Sequence, residues 1–156
     1  MNSKLNQALT RSVFILTFLL SFNFQFNAQT ELKMNHIGTL LDFFTVVFEI
    51  PVNKNFGLET ELIFVADENQ IGGGAILHGK YYFDPDFSID RVFIGFYSGG
   101  FGTTEVIAGF GFEAGYKWLG KRNVIFELGF GGGRVTSGTS FIPYGRIMFG
   151  YRFQKK

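Results

Sequence analysis

The chain has no cysteine in its 156 residues, which excludes a disulfide framework, a thiolate metal site and a lipid anchor attached through a cysteine. Proline is scarce as well. Three prolines beside 21 glycines rule out a collagen-like or Pro-rich disordered origin for the glycine content. An excess of either charge is also missing, since 14 basic and 13 acidic side chains leave a formal net charge of +1. No run of Lys or Arg exceeds two, so the electrostatic footprint of a nucleic-acid binder is absent. Two histidines are too few for a three-His metal site. What the chain has in abundance is phenylalanine, 22 residues, within a hydrophobic content of 46%. That is enough to fold, and the length allows one domain.

Long apolar runs are limited to one. Residues 1 to 11, MNSKLNQALTR, carry Lys4 and Arg11 and no acid, and VFILTFLLSF follows. This apolar run is shorter than the roughly 20 helical residues that span a bilayer, and it has the form of a signal-peptide core. Ala28 in NFQFNAQT is the expected cleavage point. The expected organisation is therefore a signal peptide at 1–28 and one β domain at 29–156. A buried N-terminal helix is the competing reading, and nothing downstream is helical for it to pack against. Removing the leader takes away two basic residues and no acid, leaving a mature chain slightly acidic.

From Glu31 onward the apolar pattern has period two. Segment 105 to 119 sets Val106, Ala108, Phe110, Phe112, Ala114, Tyr116 and Trp118 on one face, and Glu105, Gly109, Gly111, Glu113, Gly115 and Lys117 on the other. Segments 123 to 135, 140 to 153, 72 to 84, 55 to 65 and 43 to 50 repeat the arrangement. Segments 31 to 41 and 90 to 101 alternate less cleanly, the second being apolar on both faces. Together these predict eight antiparallel strands. Polar turns at 51 to 55, 84 to 90 and 119 to 123 share one end with the chain termini, and the connections at 66 to 70, 99 to 105 and 135 to 140 lie at the other.

Periodicity alone does not say which face points inward. In a soluble sandwich or barrel the phenylalanines would form the core. Three features predict the inverted arrangement. The strands run to about 9–13 residues, close to the 9–11 of a tilted membrane span and above the soluble mode of about 5–6. Tyr81, Phe83, Tyr116, Trp118, Tyr151 and Phe153 all fall at strand ends on the terminus side, as an interfacial aromatic girdle requires. Glycine sits on the polar face, where the interior of an eight-stranded barrel is narrow. Strands in lipid tolerate no open edge, so the expected fold is all-β, an eight-stranded antiparallel up-and-down transmembrane barrel.

The segments NAQT, LKMNHIG, GKYYFDP, GFGFEAGYKW, FELGFGGG and GRIMFGYRF together resemble the small outer-membrane β-barrel proteins of Gram-negative bacteria, including little-characterised families of the Bacteroidota. The resemblance covers nearly all of the chain after residue 28 and specifies no activity. It implies residence in the cell outer membrane as a monomer, with outer-membrane lipids as neighbours and barrel-assembly machinery as the partner during insertion. The terminal GYRF is similar to the recognition end read by that machinery, although Gln154, Lys155 and Lys156 follow Phe153 here.

Chemistry-bearing patterns are few. Gly109, Gly111 and Ala114 satisfy G-x-G-x-x-A, but strand alternation runs straight through them where a dinucleotide fingerprint needs a helix N-terminus. Glu59 and Glu61 share a strand face and could hold a cation or serve acid-base work. Yet the faces assigned inward carry Glu49, Glu59, Glu61, Glu105, Glu113 and Glu127 against Lys33, Lys80, Lys117, Arg146 and Arg152. That near balance predicts a structural charge network inside the barrel, since an unpaired buried charge costs several kcal/mol. The expected protein is non-catalytic, without cofactor or metal, with a structural or surface-interaction role and a side-chain-filled polar interior. Three alternatives stay open: a soluble secreted barrel binding an apolar ligand, a narrow channel, and a lipid A deacylase or acyltransferase of the outer membrane. The last would use His36 with a serine such as Ser98, Ser137 or Ser140.

Overall fold

The computed structural model describes residues 29–36, 43–67, 70–102, 105–138 and 141–153. The expected signal peptide at 1–28 lies outside them. Eight strands follow in order: β1 (Glu31–Asn35), β2 (Phe43–Pro51), β3 (Phe56–Asp67), β4 (Gln70–Tyr82), β5 (Arg91–Gly102), β6 (Val106–Leu119), β7 (Val124–Val135) and β8 (Phe141–Arg152). Each pairs antiparallel with its sequence neighbour, and β1 pairs with β8, so the sheet closes into an up-and-down barrel. The closing register sets Glu31 against Arg152 and Asn35 against Met148. Closure leaves no unpaired edge along the wall.

The wall is inverted relative to a water-soluble barrel. Lumen-facing positions hold Glu31, Lys33, Glu49, Glu59, Lys80, Lys117, Glu127, Arg146 and Arg152, all buried, whereas Phe64, Phe96, Phe112, Phe130 and Phe149 stand exposed on the outside. Glycine makes the crowded interior possible. A Cβ at Gly115 would lie 2.5 Å from the Phe93 ring, and one at Gly129 would lie 2.8 Å from Arg146 Cγ. Long side chains therefore cross the lumen over bare backbone.

Strand β1 runs over Glu31–Asn35, and residues 37 to 41 of the expected segment lie outside the described residues. One expected boundary moves. Segment 84 to 90, expected as a polar turn, folds back under the barrel. Its Ile89 and Asp90 are buried, and Ile89 packs with Tyr82 and Phe93 in a small apolar cluster. The Arg152 guanidinium fastens the segment by donating to the carbonyls of Phe87 at 2.7 Å and Ile89 at 3.1 Å. This turn plugs the end of the lumen nearest the termini.

Candidate functional site

The strand alternation delivers side chains from all around the barrel to one axis. Glu127 on β7 accepts from Lys80 Nζ of β4 at 2.7 Å and Lys33 Nζ of β1 at 2.8 Å, with Arg146 of β8 at 3.2 Å. The Lys33 ammonium also donates to Glu49 and Glu59. Lys117 of β6 reaches across to Glu31 at 2.8 Å and Glu49 at 2.6 Å. Arg152 grips Glu31 through Nε and Nη2 at 2.9 and 2.7 Å. Tyr82 donates to Glu49 at 2.6 Å. Charge pairs so fully removed from water hold only when every member is satisfied, because a carboxylate left alone in low dielectric is strongly unfavourable.

Toward the middle of the barrel a second tier takes over. Arg146 bonds to Glu59 and, at 3.2 Å, to Glu113. His78 Nδ1 meets Glu113 Oε1 at 2.9 Å, its Nε2 lies 3.5 Å from Glu61 Oε2, and the Tyr144 hydroxyl donates to Glu61 at 2.9 Å. Above this tier the Tyr97 and Tyr144 rings sit with centroids 4.8 Å apart.

Ten of the eleven charged residues assigned inward from the sequence lie in this buried network: Lys33, Glu49, Glu59, Glu61, Lys80, Glu113, Lys117, Glu127, Arg146 and Arg152. The eleventh, Glu105, is exposed and lies outside any strand. The β5–β6 ladder opens at the Gly102–Val106 pair, so Glu105 belongs to the connection although its alternation phase points inward. Glu31 and His78 complete the network without having been assigned to it. Both were legible: Glu31 shares the phase of Lys33, and His78 the phase of Lys80. With them, six carboxylates face five Lys and Arg side chains and one imidazole.

The six aromatic residues assigned to a girdle all lie on the outside at the terminus end. They pair as Tyr81 with Phe83, Tyr116 with Trp118 and Tyr151 with Phe153, at centroid distances of 5.2, 4.3 and 5.3 Å.

Chemically the network is close to saturated: among the described residues, His78 Nε2 and Arg146 Nε are its buried side-chain atoms without a hydrogen-bond partner. One oxygen each of Glu49, Glu59 and Glu127 converge within 4.8 Å, a spacing that suits a metal ion. The Lys33 ammonium is hydrogen-bonded to all three carboxylates and already supplies the positive charge there. Of the serines considered with His36, Ser98 is not brought to it, and Ser137 is exposed in the turn after β7. His36 lies edge-on against Phe149 at 4.9 Å, beyond β1, whereas the Ser98 hydroxyl donates to Gly109 O at 3.4 Å from β5. In a closed circuit of eight strands β5 is diametrically opposite β1. Ser140 lies outside the described residues.

The opposite end of the lumen differs in kind. A cavity of about 190 Å³ lies among β4 to β8, bordered by Ile76, Phe101, Ile107, Val135 and Ile142, with Tyr97 and Tyr144 beside them. The expected side-chain filling thus holds for the terminus half of the lumen and not for this one. Where Phe93 and Arg146 span the narrow space below, Gly99, Gly109 and Gly133 border open space here.

Compared with protein-family models, curated proteins and solved structures, the chain matches none.

Proposed function

We propose that this chain is a non-catalytic β-barrel of the bacterial outer membrane, exported behind residues 1–28 and inserted by barrel-assembly machinery. Its role is structural or carried by the loops at the end away from the termini. The observation that carries this reading is the inverted wall: charges buried along the axis, and a predominantly apolar outer face whose Phe112 is 69% exposed. Water would not stabilise such a face, because exposed apolar patches of that extent drive association, while hydrocarbon would. The aromatic pairs at the terminus end support an interfacial belt. The densely ion-paired network and the 84 to 90 plug support a lumen that conducts no steady ion current and turns over no substrate in its charged half.

The test is to fractionate cells expressing the full chain and then to substitute Phe112→Arg, midway along β6. The mature protein should start near Gln29, partition with outer membranes and migrate differently before and after boiling. In lipid, F112R should lower stability by about 2–4 kcal/mol, the depth-dependent penalty of an arginine at mid-bilayer. Recovery of the folded chain in a detergent-free soluble fraction, with F112R harmless, would overturn the reading in favour of a secreted soluble barrel.

A further inference from the structure

We propose that the cavity at the end of the lumen away from the termini binds the alkyl tail of an anionic amphiphile of the fatty-acid type. This site does not depend on membrane insertion, since the cavity lies inside the wall whatever surrounds the outside.

The first support is misplaced exposure. Ile107 and Ile142 occupy lumen-facing positions, in phase with Glu113 and Arg146, yet are 46% and 47% exposed. On the outer face a bilayer would account for such exposure. Here they stand at the open rim, as the second residues of β6 and β8, and offer an entering chain apolar surface that is unfavourable in water at about 25 cal/mol per Å². Large exposed apolar groups in a concave site mark ligand contact.

The second support is shape. The glycines that border the space cannot take a side chain without moving the wall: a Cβ at Gly99 would clash with Ala75 O, and one at Gly133 with Phe110 O. A Cβ at Gly133 would come 2.8 Å from the Tyr97 hydroxyl, so a larger residue there would intrude where Tyr97 borders the cavity. Tyr97 and Tyr144 stand between the cavity and the charges, and the Tyr144 hydroxyl is turned to Glu61. A tail entering from the open end therefore meets rings before it meets any buried ion pair. The cavity's 190 Å³ exceeds the roughly 150 Å³ of a hydrocarbon-lined cavity that accepts benzene. By proportion it takes about eight carbons of a single chain.

The third support is charge. Among the residues that border the cavity Arg134 alone is charged; it is the penultimate residue of β7, exposed on the outward phase opposite Phe110 and Phe141, so its cation meets the mouth over the rim, with no acid beside it in the lining. That favours a carboxylate head over an ammonium head at the mouth.

The experiment uses the full mature chain, refolded in nanodiscs of zwitterionic lipid with ¹³C-labelled isoleucine δ1 methyls, titrated with octanoate and with octylammonium. Octanoate should shift Ile76, Ile107 and Ile142 saturably, and leave Ile125 and Ile89 in the charged half and Ile94 on the outer face unmoved. Octylammonium should bind more weakly, and Arg134→Gln should remove that preference. Val135→Trp, which fills the cavity, should weaken octanoate at least about tenfold while the boiling-dependent gel shift persists. Ile76→Phe on the facing wall gives the same reading if V135W does not refold. Equal shifts at Ile94 and Ile107 would show mere partition into the bilayer and overturn the proposal, as would unchanged octanoate affinity in both filled variants. Equal binding of the two amphiphiles would overturn the anionic assignment.

Discussion

The two halves of the lumen are built by the same eight strands and the same alternation, and they have opposite interiors. In the terminus half, long cations reach between strands that are not neighbours: Lys33 of β1 to Glu59 of β3 and Glu127 of β7, Lys117 of β6 to Glu31 of β1, Arg146 of β8 to Glu59 of β3. In the other half the inward positions that border the cavity are glycine, aliphatic or aromatic. One half is cross-linked by ion pairs through its axis, and the other borders a space. Backbone pairing defines the barrel, while the identity of the inward residue decides whether the interior is a core or a container. A charge network can serve as a core only where glycine leaves room for the side chains to meet, as Gly129 does beside Arg146.

The sharpest way to break this comparison is to remove the carboxylate at the centre of the cross-links. Glu127→Ala leaves Lys33, Lys80 and Arg146 short of a counter-ion they now share within 3.2 Å. The loss should be about 3–5 kcal/mol, the usual result of orphaning buried charges. Urea unfolding in lipid vesicles, followed by the fluorescence of Trp118, the single tryptophan, measures it. Added salt should leave the wild-type stability nearly unchanged, because ions do not screen pairs removed from solvent. A loss below 1 kcal/mol would mean that the cross-links do not carry the terminus half.

A smaller effect is expected at the plug. Arg152→Gln removes two bonds to Glu31 and the hold on the carbonyls of Phe87 and Ile89. Glu31 keeps Lys117 at 2.8 Å, so no carboxylate is orphaned. The expected cost is about 1.5–3 kcal/mol, the range for hydrogen bonds to charged groups. It should be concentrated locally: amides of 84 to 90 should exchange faster while those of β6 and β7 keep their protection. Uniform acceleration along the barrel would show that the segment is integral to the wall and not a plug.

Much of this was readable in the residues, and the failures have physical causes. Alternation with period two reports which face a side chain takes, so the inward phase of Lys33, Glu49, Glu59, Lys80, Glu113, Glu127 and Arg146 was legible. It carries no mark of where a ladder stops, which is why Glu105 was counted as wall. The plug depends on Arg152, more than 60 residues away in sequence from Phe87 and Ile89. No local pattern in DPDFSID announces so distant a partner. Glycine on the inward face was read as a response to crowding, and Gly115 beneath Phe93 agrees with that. At Gly99, Gly109 and Gly133, which border the cavity, the crowding comes from the backbone of the neighbouring strand instead, with Ala75 O, Arg134 O and Phe110 O as the atoms a Cβ would meet. Composition cannot distinguish the two, because the outcome depends on which side chains the facing strands send across.

The smallest expected effect is the most discriminating. Ile107→Lys places a charge on an inward position of the open half, where the native side chain is already 46% exposed. A lysine there can lay its aliphatic stem along the cavity wall and keep its ammonium in water. The substitution should therefore change stability by no more than about 0.5 kcal/mol, as at an ordinary surface site. The same change at Ile125, inward and fully buried at the terminus end, would add a cation where the side chain has no route to solvent. Ile125→Lys should destabilise clearly in the same vesicle assay. If the two variants unfold at the same urea concentration, the halves are equivalent in their access to water, and the cavity is no container. If only Ile125→Lys is costly, the contrast between a closed core and an open cup within one barrel is established by stability alone, without any ligand.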